Sequence, residues 1–289
     1  MDKILDRKTA IITGAGRGIG QAIALAFAQQ GARLVLSART SGEIEQTARA
    51  CQEAGGEAHA ITADISSPQQ VQHLVQSALS LLGDVVILVN SAGAYGPIGP
   101  TPEVDPVAWE QALRVNLLGP FYLCQALIPH MIARQQGKII LLGGGGATTP
   151  LPNLTAYAAS KAGLARLADS LAEELKPYNV QVNVIAPGLV DTRLQDDVLA
   201  AGGRAGVIYE RILKARQTGE GTVSAGVGAA LAVFLASPQS GSLTGKLISA
   251  PHDPWREWAG KGDELNHSSM YTIRRLDPFT IRPLIENLK

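Results

Sequence analysis

A tyrosine and a lysine four residues apart, Tyr157 and Lys161, are the side chains of this sequence best suited to moving a proton. Residues four apart lie on one face of a helix, which would place the ammonium beside the phenol. Lowering a tyrosine pKa from about 10 by about three units takes about 4 kcal/mol of differential stabilisation, and a nearby cation contributes part of it. Taken alone, this spacing is more often an ordinary surface pair, so its meaning depends on its surroundings.

A glycine-rich segment near the N-terminus could cradle a pyrophosphate. It reads Thr13-Gly14-Ala15-Gly16-Arg17-Gly18-Ile19-Gly20 and lies between an apolar run and an apolar helical pattern. Glycines allow a tight turn and a close approach of the backbone to phosphate, while the helix N-terminus supplies amides and a partial positive charge. A strand before and a helix after make a dinucleotide site a better interpretation than a simple turn.

Short apolar runs alternate with longer amphipathic segments and predict how these motifs are positioned. Strands are predicted at 9–13, 33–37, 58–62, 85–90, 138–142, 181–185 and 246–249, and helices at 18–30, 68–82, 107–134, 157–176 and 226–236. Apolar strands that alternate with helices predict an α/β fold, a Rossmann-type doubly wound parallel sheet of about seven strands covered on both faces.

The chain has no evident repeat or long linker, and we expect a single domain over 1–250 with a C-terminal extension over 251–289. Residues 193–223 form a Gly-rich, charged insertion where open α/β sheets place loops that cover a ligand. The extension contains Trp255, Trp258, Tyr271 and Phe279. Disordered tails are poor in aromatic residues, so we expect it to pack on the domain or on a partner subunit.

The composition limits the partners. With 25 basic and 25 acidic residues, the chain has no global electrostatic footprint for nucleic acid or an anionic membrane. Apolar runs such as 85–89 are too short to span a bilayer, and the charged N-terminal residues do not resemble a secretory signal, which predicts a cytoplasmic protein. Cys51 and Cys124 have no pairing motif or metal-ligand spacing, so we expect two buried, inert thiols and no metal site.

Several motifs in a fixed order resemble the short-chain dehydrogenase/reductase family over roughly residues 7–249. No single motif is decisive, but the ordered set is specific. They are the Gly-x-x-x-Gly-x-Gly loop, Asn90-Ser91-Ala92-Gly93 after the fourth strand, Asn116 in the next helix, Tyr157-x-x-x-Lys161, and Pro187-Gly188 with Thr192.

The resemblance implies an oxidoreductase that transfers hydride between a nicotinamide cofactor and a carbonyl or alcohol carbon of a small molecule. Tyr157 would be the general acid or base, assisted by Lys161, which also holds the nicotinamide ribose, and by Asn116, which supports a water chain to solvent. Family members usually associate through the helices that contain Asn116 and Tyr157, which implies a homodimer or homotetramer. The implied cofactor-binding residues are Gly14, Arg17, Gly18, Ile19, Gly20, Arg39, Asp64, Ile65, Asn90, Ala92, Gly93, Tyr157, Lys161, Pro187, Gly188, Val190 and Thr192.

The end of the second predicted strand bears on cofactor choice. NAD-specific family members place an acidic residue there to bind the ribose hydroxyls, whereas this chain has Ala38 followed by Arg39. Arg17 adds a second guanidinium, and such groups suit a 2′-phosphate, so NADP(H) is favoured over NAD(H). Both arginines could instead be solvated surface charges. Asp64, an adenine contact in the family, could equally be a helix N-cap.

One departure from the family concerns its catalytic serine, whose position falls on Gly144 in the glycine run 143–146. Losing one oxyanion donor typically lowers the rate by about 10²–10³-fold. Thr148, Thr149, Asn153, a glycine N–H or a water could replace it. The alternative is a catalytically decayed dinucleotide-binding protein with a regulatory or structural role. The pocket is expected at 95–104, 143–155, 189–223 and the tail, and its substrate is not readable from the sequence.

Overall fold

Seven parallel strands form one sheet in the computed structural model, which describes residues 3–275, 277 and 281. The strand order is β3-β2-β1-β4-β5-β6-β7, so the direction of winding reverses between β1 and β4. This arrangement confirms the predicted Rossmann-type α/β class. The strands are β1 (Thr9–Thr13), β2 (Arg33–Ala38), β3 (Glu57–Thr62), β4 (Ile87–Asn90), β5 (Gly137–Leu142), β6 (Val180–Ala186) and β7 (Lys246–Ser249).

Ten α-helices connect the strands within the described residues. They are α1 (Gly18–Gln29), α2 (Ser41–Glu53), α3 (Pro68–Leu82), α4 (Pro106–Leu113), α5 (Gly119–Arg134), α6 (Thr155–Leu175), α7 (Leu194–Ala201), α8 (Val207–Thr218), α9 (Ala225–Ala236) and α10 (Gly262–His267). Side chains of α1, α2 and α9 form the core on one face of the sheet, and those of α3, α5 and α6 form it on the other. Successive strand residues alternate between these cores, as Ile12 and Ile11 of β1 do.

Two predicted segments differ from the structure. The helix predicted at 107–134 is α4 and α5 joined by a π-helical turn, Arg114–Leu118, which contains Asn116. The insertion 193–223 contains two helices, α7 and α8, in place of an irregular loop. Glycines at both ends of its short linker, Gly202 and Gly206, have positive φ and allow the chain to turn between the helices. The glycines of this segment favour a loop on composition alone, because glycine is frequent in loops and turns.

Asp64 is not a helix N-cap. The cap of α3 is Ser67, whose hydroxyl accepts a hydrogen bond of 3.4 Å from the backbone N–H of Gln70. Asp64 instead accepts a bond of 2.9 Å from the N–H of Ser66 in the preceding turn. The N-cap interpretation is wrong because Pro68 is the first residue of the helix, and the residue directly before it caps.

The C-terminal segment packs against the sheet and α9. Trp255 and Trp258 are buried, and the backbone N–H of Leu247 in β7 donates to the carbonyl of Tyr271 over 2.7 Å. The ammonium of Lys246 donates to the carbonyl of Ser268 over 2.6 Å. The tail therefore runs beside the otherwise open edge of β7. Phe279 lies outside the described residues.

One helical segment, Pro106–Arg134, is long and apolar enough to cross a membrane by length and composition alone. In the fold it is interrupted by the π-helical turn, and its buried side chains, including Leu123, Leu127 and Met131, belong to the core beneath the sheet. Core helices of globular proteins share this composition, and the packing assigns the segment to that class.

Candidate active site

A cavity of about 840 Å³ runs along the carboxyl ends of the strands. Parallel sheets bind ligands at this edge, in the crevice where the winding direction reverses. Among the predicted site residues, only Gly20, Asn90 and Asn116 are not part of the cavity wall. Those that line it are Gly14, Arg17, Gly18, Ile19, Arg39, Asp64, Ile65, Ala92, Gly93, Tyr157, Lys161, Pro187, Gly188, Val190 and Thr192.

The glycine loop between β1 and α1 leaves no space for larger side chains. A Cβ at Gly14, whose φ is +64°, would lie 2.6 Å from the backbone nitrogen of Ala92, and one at Gly20 would lie 2.2 Å from the carbonyl oxygen of Gly14. Both distances are well inside van der Waals contact with rigid backbone. These glycines bring the loop against β4 and turn the first amides of α1 toward the cavity, as a pyrophosphate site requires.

Two buried polar atoms near this loop have no hydrogen-bond partner among the described residues. They are the hydroxyl of Ser37, near the end of β2, and the Nδ2 group of Asn90, at the end of β4. The Oδ1 atom of Asn90 is already used, since it accepts a 2.7 Å bond from Thr13. Buried polar groups normally find partners, and unpaired ones beside a cleft suit a polar ligand. Together with the glycine loop, they fit a dinucleotide.

A glutamate that the sequence analysis missed lies between two arginines at the mouth of the cavity. Glu43 Oε1 lies 3.2 Å from the guanidinium of Arg17 and 3.0 Å from that of Arg193. Arg39 also lines this end of the cavity. The bridge connects the glycine loop, α2 and the start of the insertion. Nothing in the sequence marks Glu43, because an acidic residue in the first turn of a helix is common there for its favourable interaction with the helix dipole.

Tyr157 and Lys161 converge at the other end of the cavity, in the first two turns of α6. The ammonium of Lys161 is 5.7 Å from the ring centre of Tyr157 and donates a 2.7 Å bond to the carbonyl of Leu142, the last residue of β5. Burial lowers the pKa of Lys161 to about 8. Burial, with a smaller contribution from Tyr95, raises the pKa of Tyr157 well above its usual value. Without ligands, Tyr157 therefore holds its proton at neutral pH.

Asn116 is fully committed to hydrogen bonds within the protein. Its Nδ2 donates to the carbonyl of Ala94 over 2.7 Å and to the hydroxyl of Ser160 over 2.9 Å, and its Oδ1 accepts from the N–H of Ala94 over 2.9 Å. The π-helical turn places this side chain beside the loop after β4. These bonds fix the position of that loop, which carries Tyr95.

The space expected for a serine side chain at position 144 is taken by Tyr157. A Cβ at Gly144 would lie 2.2 Å from the Tyr157 hydroxyl. Of the alternative donors considered from the sequence, Thr148 lines the cavity. Thr148 and Thr149 are both exposed. Asn153 accepts a 2.8 Å bond from the N–H of Gly99 through its backbone carbonyl.

The cavity wall around Tyr157 is mainly apolar and is built by segments far apart in the sequence. A buried cluster joins Tyr157 to the loop after β4, to the segment before α6 and to both helices of the insertion. Two polar residues lie within it, Tyr95 and Gln195, whose side chains are joined by a 3.1 Å hydrogen bond. Both lie in ranges where the sequence analysis expected the pocket, 95–104 and 189–223, although neither was named as a site residue. The apolar wall includes Leu151, Leu154, Leu189, Leu194, Ile208 and Ile212.

Both cysteines are buried, as predicted, and burial raises their pKa values, to about 11 for Cys51 and about 12 for Cys124. At neutral pH they are thiols rather than nucleophilic thiolates. They lie in the cores on opposite faces of the sheet.

A glycine loop, the unpaired hydroxyl of Ser37 and a Tyr–Lys pair line one crevice, as in the site of a Rossmann-type nucleotide-binding oxidoreductase. Residues 8–201 match the short chain dehydrogenase family. The 7alpha-hydroxysteroid dehydrogenase of Escherichia coli K12 is 35% identical over 249 residues, which cover 85% of this chain and 93% of that enzyme. The chain belongs to the short-chain dehydrogenase/reductase family and is an oxidoreductase.

Solved structures of other oxidoreductases have the same fold. A xylitol dehydrogenase with bound NAD⁺ has a TM-score of 0.79 and 25% identity, covering 85% of this chain and 98% of its own. An actinorhodin polyketide ketoreductase variant with NADPH has a TM-score of 0.78 and 27% identity, covering 86% of this chain and 97% of its own. Relatives of similar distance thus bind different nicotinamide cofactors.

Proposed function

We propose that this protein is an NADP(H)-dependent reductase of a bulky, largely apolar ketone, with Tyr157 as the proton donor. The observation that carries the proposal is the Tyr157–Lys161 pair, buried at one end of a cavity whose other end is the glycine loop. NADPH, when bound, supplies the hydride. The chain itself supplies the proton donor and the residues that position it.

Tyr157 donates its proton to the carbonyl oxygen as negative charge develops there. Burial raises the pKa of Tyr157 and keeps the phenol protonated in the ligand-free protein, opposite to the lowering expected from a nearby cation. For efficient proton donation, the Lys161 ammonium must bring this pKa back toward the operating pH once the substrate is bound. Lys161 holds its ammonium near the Tyr157 ring and stabilises the phenolate that remains after proton transfer. Asn116 is a positioning residue, because its amide holds the backbone of Ala94 rather than lining the cavity.

The apolar wall supports the assignment of substrate class. Its leucines and isoleucines pack around Tyr157, which suits an apolar substrate, while the insertion adds the charged side chains of Asp197 and Arg211 to the cavity wall. The relatives include hydroxysteroid dehydrogenases of Escherichia coli and of Eggerthella lenta, which are both 35% identical to this chain. We extend from them only the chemical class, a ring ketone or its secondary alcohol. The insertion 193–223 would cover such a substrate.

The preference for NADP(H) rests on three arginines at the mouth of the cavity. Arg17, Arg39 and Arg193 lie near the end of β2, where Ala38 replaces an acidic residue. Glu43 opposes them, since its carboxylate would repel a 2′-phosphate while it pairs with Arg17 and Arg193. Two carboxylates lie close to these arginines, Glu43 and Asp197, and Asp197 interacts with Arg17. Three guanidinium groups against these two carboxylates leave an excess of positive charge, which favours the phosphorylated cofactor.

We further propose that residues 1–250 fold as one domain with the extension 251–289 packed on it, and that the protein is a homodimer or homotetramer. Phe121 is 39% exposed on α5, part of the helical segment through which family members usually associate. Light scattering that gives the monomer mass of 30.3 kDa would refute the assembly.

Turnover across a panel of ketones tests the function. We expect NADPH oxidation with bulky ring ketones to exceed that with small polar ketones, and Tyr157→Phe to abolish it while NADPH affinity stays unchanged. Tyr209→Phe is the matched control, because Tyr209 is only a partly buried neighbour of the same apolar cluster. NADPH binding without turnover of any ketone would support a decayed, binding-only protein instead.

A further inference from the structure

The catalytic pair has no second hydroxyl at position 144, and the structure leaves no space for one. Tyr157 places its hydroxyl where a side chain at residue 144 would begin, 2.2 Å from the Cβ position. With Tyr157 in this position, only glycine fits at residue 144. The site therefore also lacks a hydroxyl donor there. A carbonyl held by Tyr157 alone would receive one hydrogen bond, whereas oxyanion sites normally supply two.

Tyr95 brings another hydroxyl to the same end of the cavity. Its ring packs edge-on against that of Tyr157, with 4.7 Å between the ring centres and 62° between the planes. It lines the cavity and is only 8% exposed. Burial raises its pKa, so it remains a donor at neutral pH. The bonds between Asn116 and Ala94 fix the backbone directly before Tyr95.

Gln195 gives the Tyr95 hydroxyl a defined orientation. The hydroxyl donates to Gln195 Oε1 over 3.1 Å, and Gln195 Nε2 donates in turn to the carbonyl of Val190 over 3.4 Å. Both side chains are buried in an otherwise apolar cluster. A buried polar pair there requires a reason, because burying hydrogen-bonding groups is costly unless they remain paired. Gln195 belongs to α7, so the pair also joins the covering insertion to the reacting end of the cavity.

We propose that Tyr95 is a second catalytic residue and donates a hydrogen bond to the substrate carbonyl oxygen in place of a serine. This inference rests on the proposed function. Tyr157 alone transfers its proton; Tyr95 keeps its own, and no bond to it forms or breaks. When the substrate binds, the Tyr95 hydroxyl exchanges its bond to Gln195 Oε1 for one to the carbonyl oxygen, while Gln195 Nε2 keeps its bond to the carbonyl of Val190. Gln195 is thereby a positioning residue.

The decisive variant is Tyr95→Phe, which keeps the ring and its packing and removes only the hydroxyl. We expect kcat to fall about 10²-fold, the usual effect of losing one oxyanion donor, with NADPH affinity unchanged. The melting temperature should fall slightly, because Gln195 Oε1 loses its hydrogen-bond partner. Tyr209→Phe should leave kcat unchanged. Thr148→Val tests the other candidate hydroxyl in the cavity wall and should lower kcat far less than Tyr95→Phe does, because the exposed Thr148 hydroxyl is not the donor in this account.

The same measurements can overturn the inference. Tyr95→Phe with kcat within twofold of the unmodified protein, alongside an inactive Tyr157→Phe, would remove Tyr95 from the mechanism and leave the proposed function intact. A large loss of kcat in Thr148→Val with Tyr95→Phe unaffected would assign the donor to Thr148. Absence of turnover in the unmodified protein with every ketone would overturn both the function and the role of Tyr95.

Discussion

Two glycine-rich segments border the same cavity, and they are constrained in different ways. At two glycines of the loop 14–20, side chains are excluded by backbone: a Cβ at Gly14 would collide with Ala92 and one at Gly20 with the carbonyl of Gly14. In the run 143–146, a Cβ at Gly146 would also meet backbone, but at Gly144 the contact is the hydroxyl of Tyr157, and at Gly145 a Cβ would meet no atom within 4 Å. Gly14 and Gly20 are required by the backbone fold of the nucleotide site, whereas Gly144 is required by the position of one side chain, Tyr157.

This difference explains why the first segment forms a recognisable motif. Where backbone packs on backbone, only glycine fits, and the spacing follows from the geometry of a strand, a turn and a helix. At Gly144 the constraint comes from the position of Tyr157. The function of the glycine run therefore depends on the placement of side chains that are remote in sequence, including Tyr95.

The largest expected effect is that of Gly14→Ala. The added methyl group must displace the backbone of residue 92 and requires alanine at a φ of +64°, so we expect cofactor affinity to fall at least about 100-fold and the melting temperature to drop. Gly145→Ala is the matched control and should change neither, because its methyl group enters open space. Fluorescence titration with NADPH and thermal unfolding measure both. Equal NADPH affinities in the two variants would remove the distinction between the segments.

A smaller effect is expected at the mouth of the cavity. We expect NADPH to bind at least about tenfold more tightly than NADH, a difference of about 1.4 kcal/mol, and Arg39→Asp to erase or invert it. Glu43→Gln should instead raise the affinity for NADPH a few-fold and leave the affinity for NADH unchanged, since it removes one partly buried carboxylate near the 2′-phosphate. Parallel titrations with both cofactors provide the measurement. Equal affinities in the unmodified protein would contradict the assignment of NADP(H).

The sequence alone was sufficient to predict the fold class and to name residues that line the cofactor cavity. Buried parallel strands have continuous apolar runs, and the cofactor motifs lie at strand ends, where their place in the fold is fixed by their place in the chain. Arg17, Gly18 and Thr192 could therefore be assigned to one site without a structure. Whether they bind the cofactor remains a prediction.

The reacting end was less predictable, for a physical reason. Tyr95 and Gln195 are 100 residues apart and meet because α7 folds over the crevice. Glu43 and Arg193 are 150 residues apart and form a bridge across its mouth. Such pairs depend on the path of the insertion, whose glycines suggested a loop where the structure has helices. Contacts between residues so far apart in the sequence leave no local pattern, so the sequence alone does not predict them.

The most direct measurement of the central claim, that Tyr157 delivers the proton for hydride transfer in this cavity, uses NADPH labelled with deuterium at the transferable position. The protein is given the ketone that it reduces fastest, and the alcohol produced is analysed by mass spectrometry. The account predicts one deuterium on the alcohol carbon with the unmodified protein, and no alcohol with Tyr157→Phe, which still binds NADPH with unchanged affinity. Labelled alcohol formed by Tyr157→Phe at the unmodified rate would contradict it.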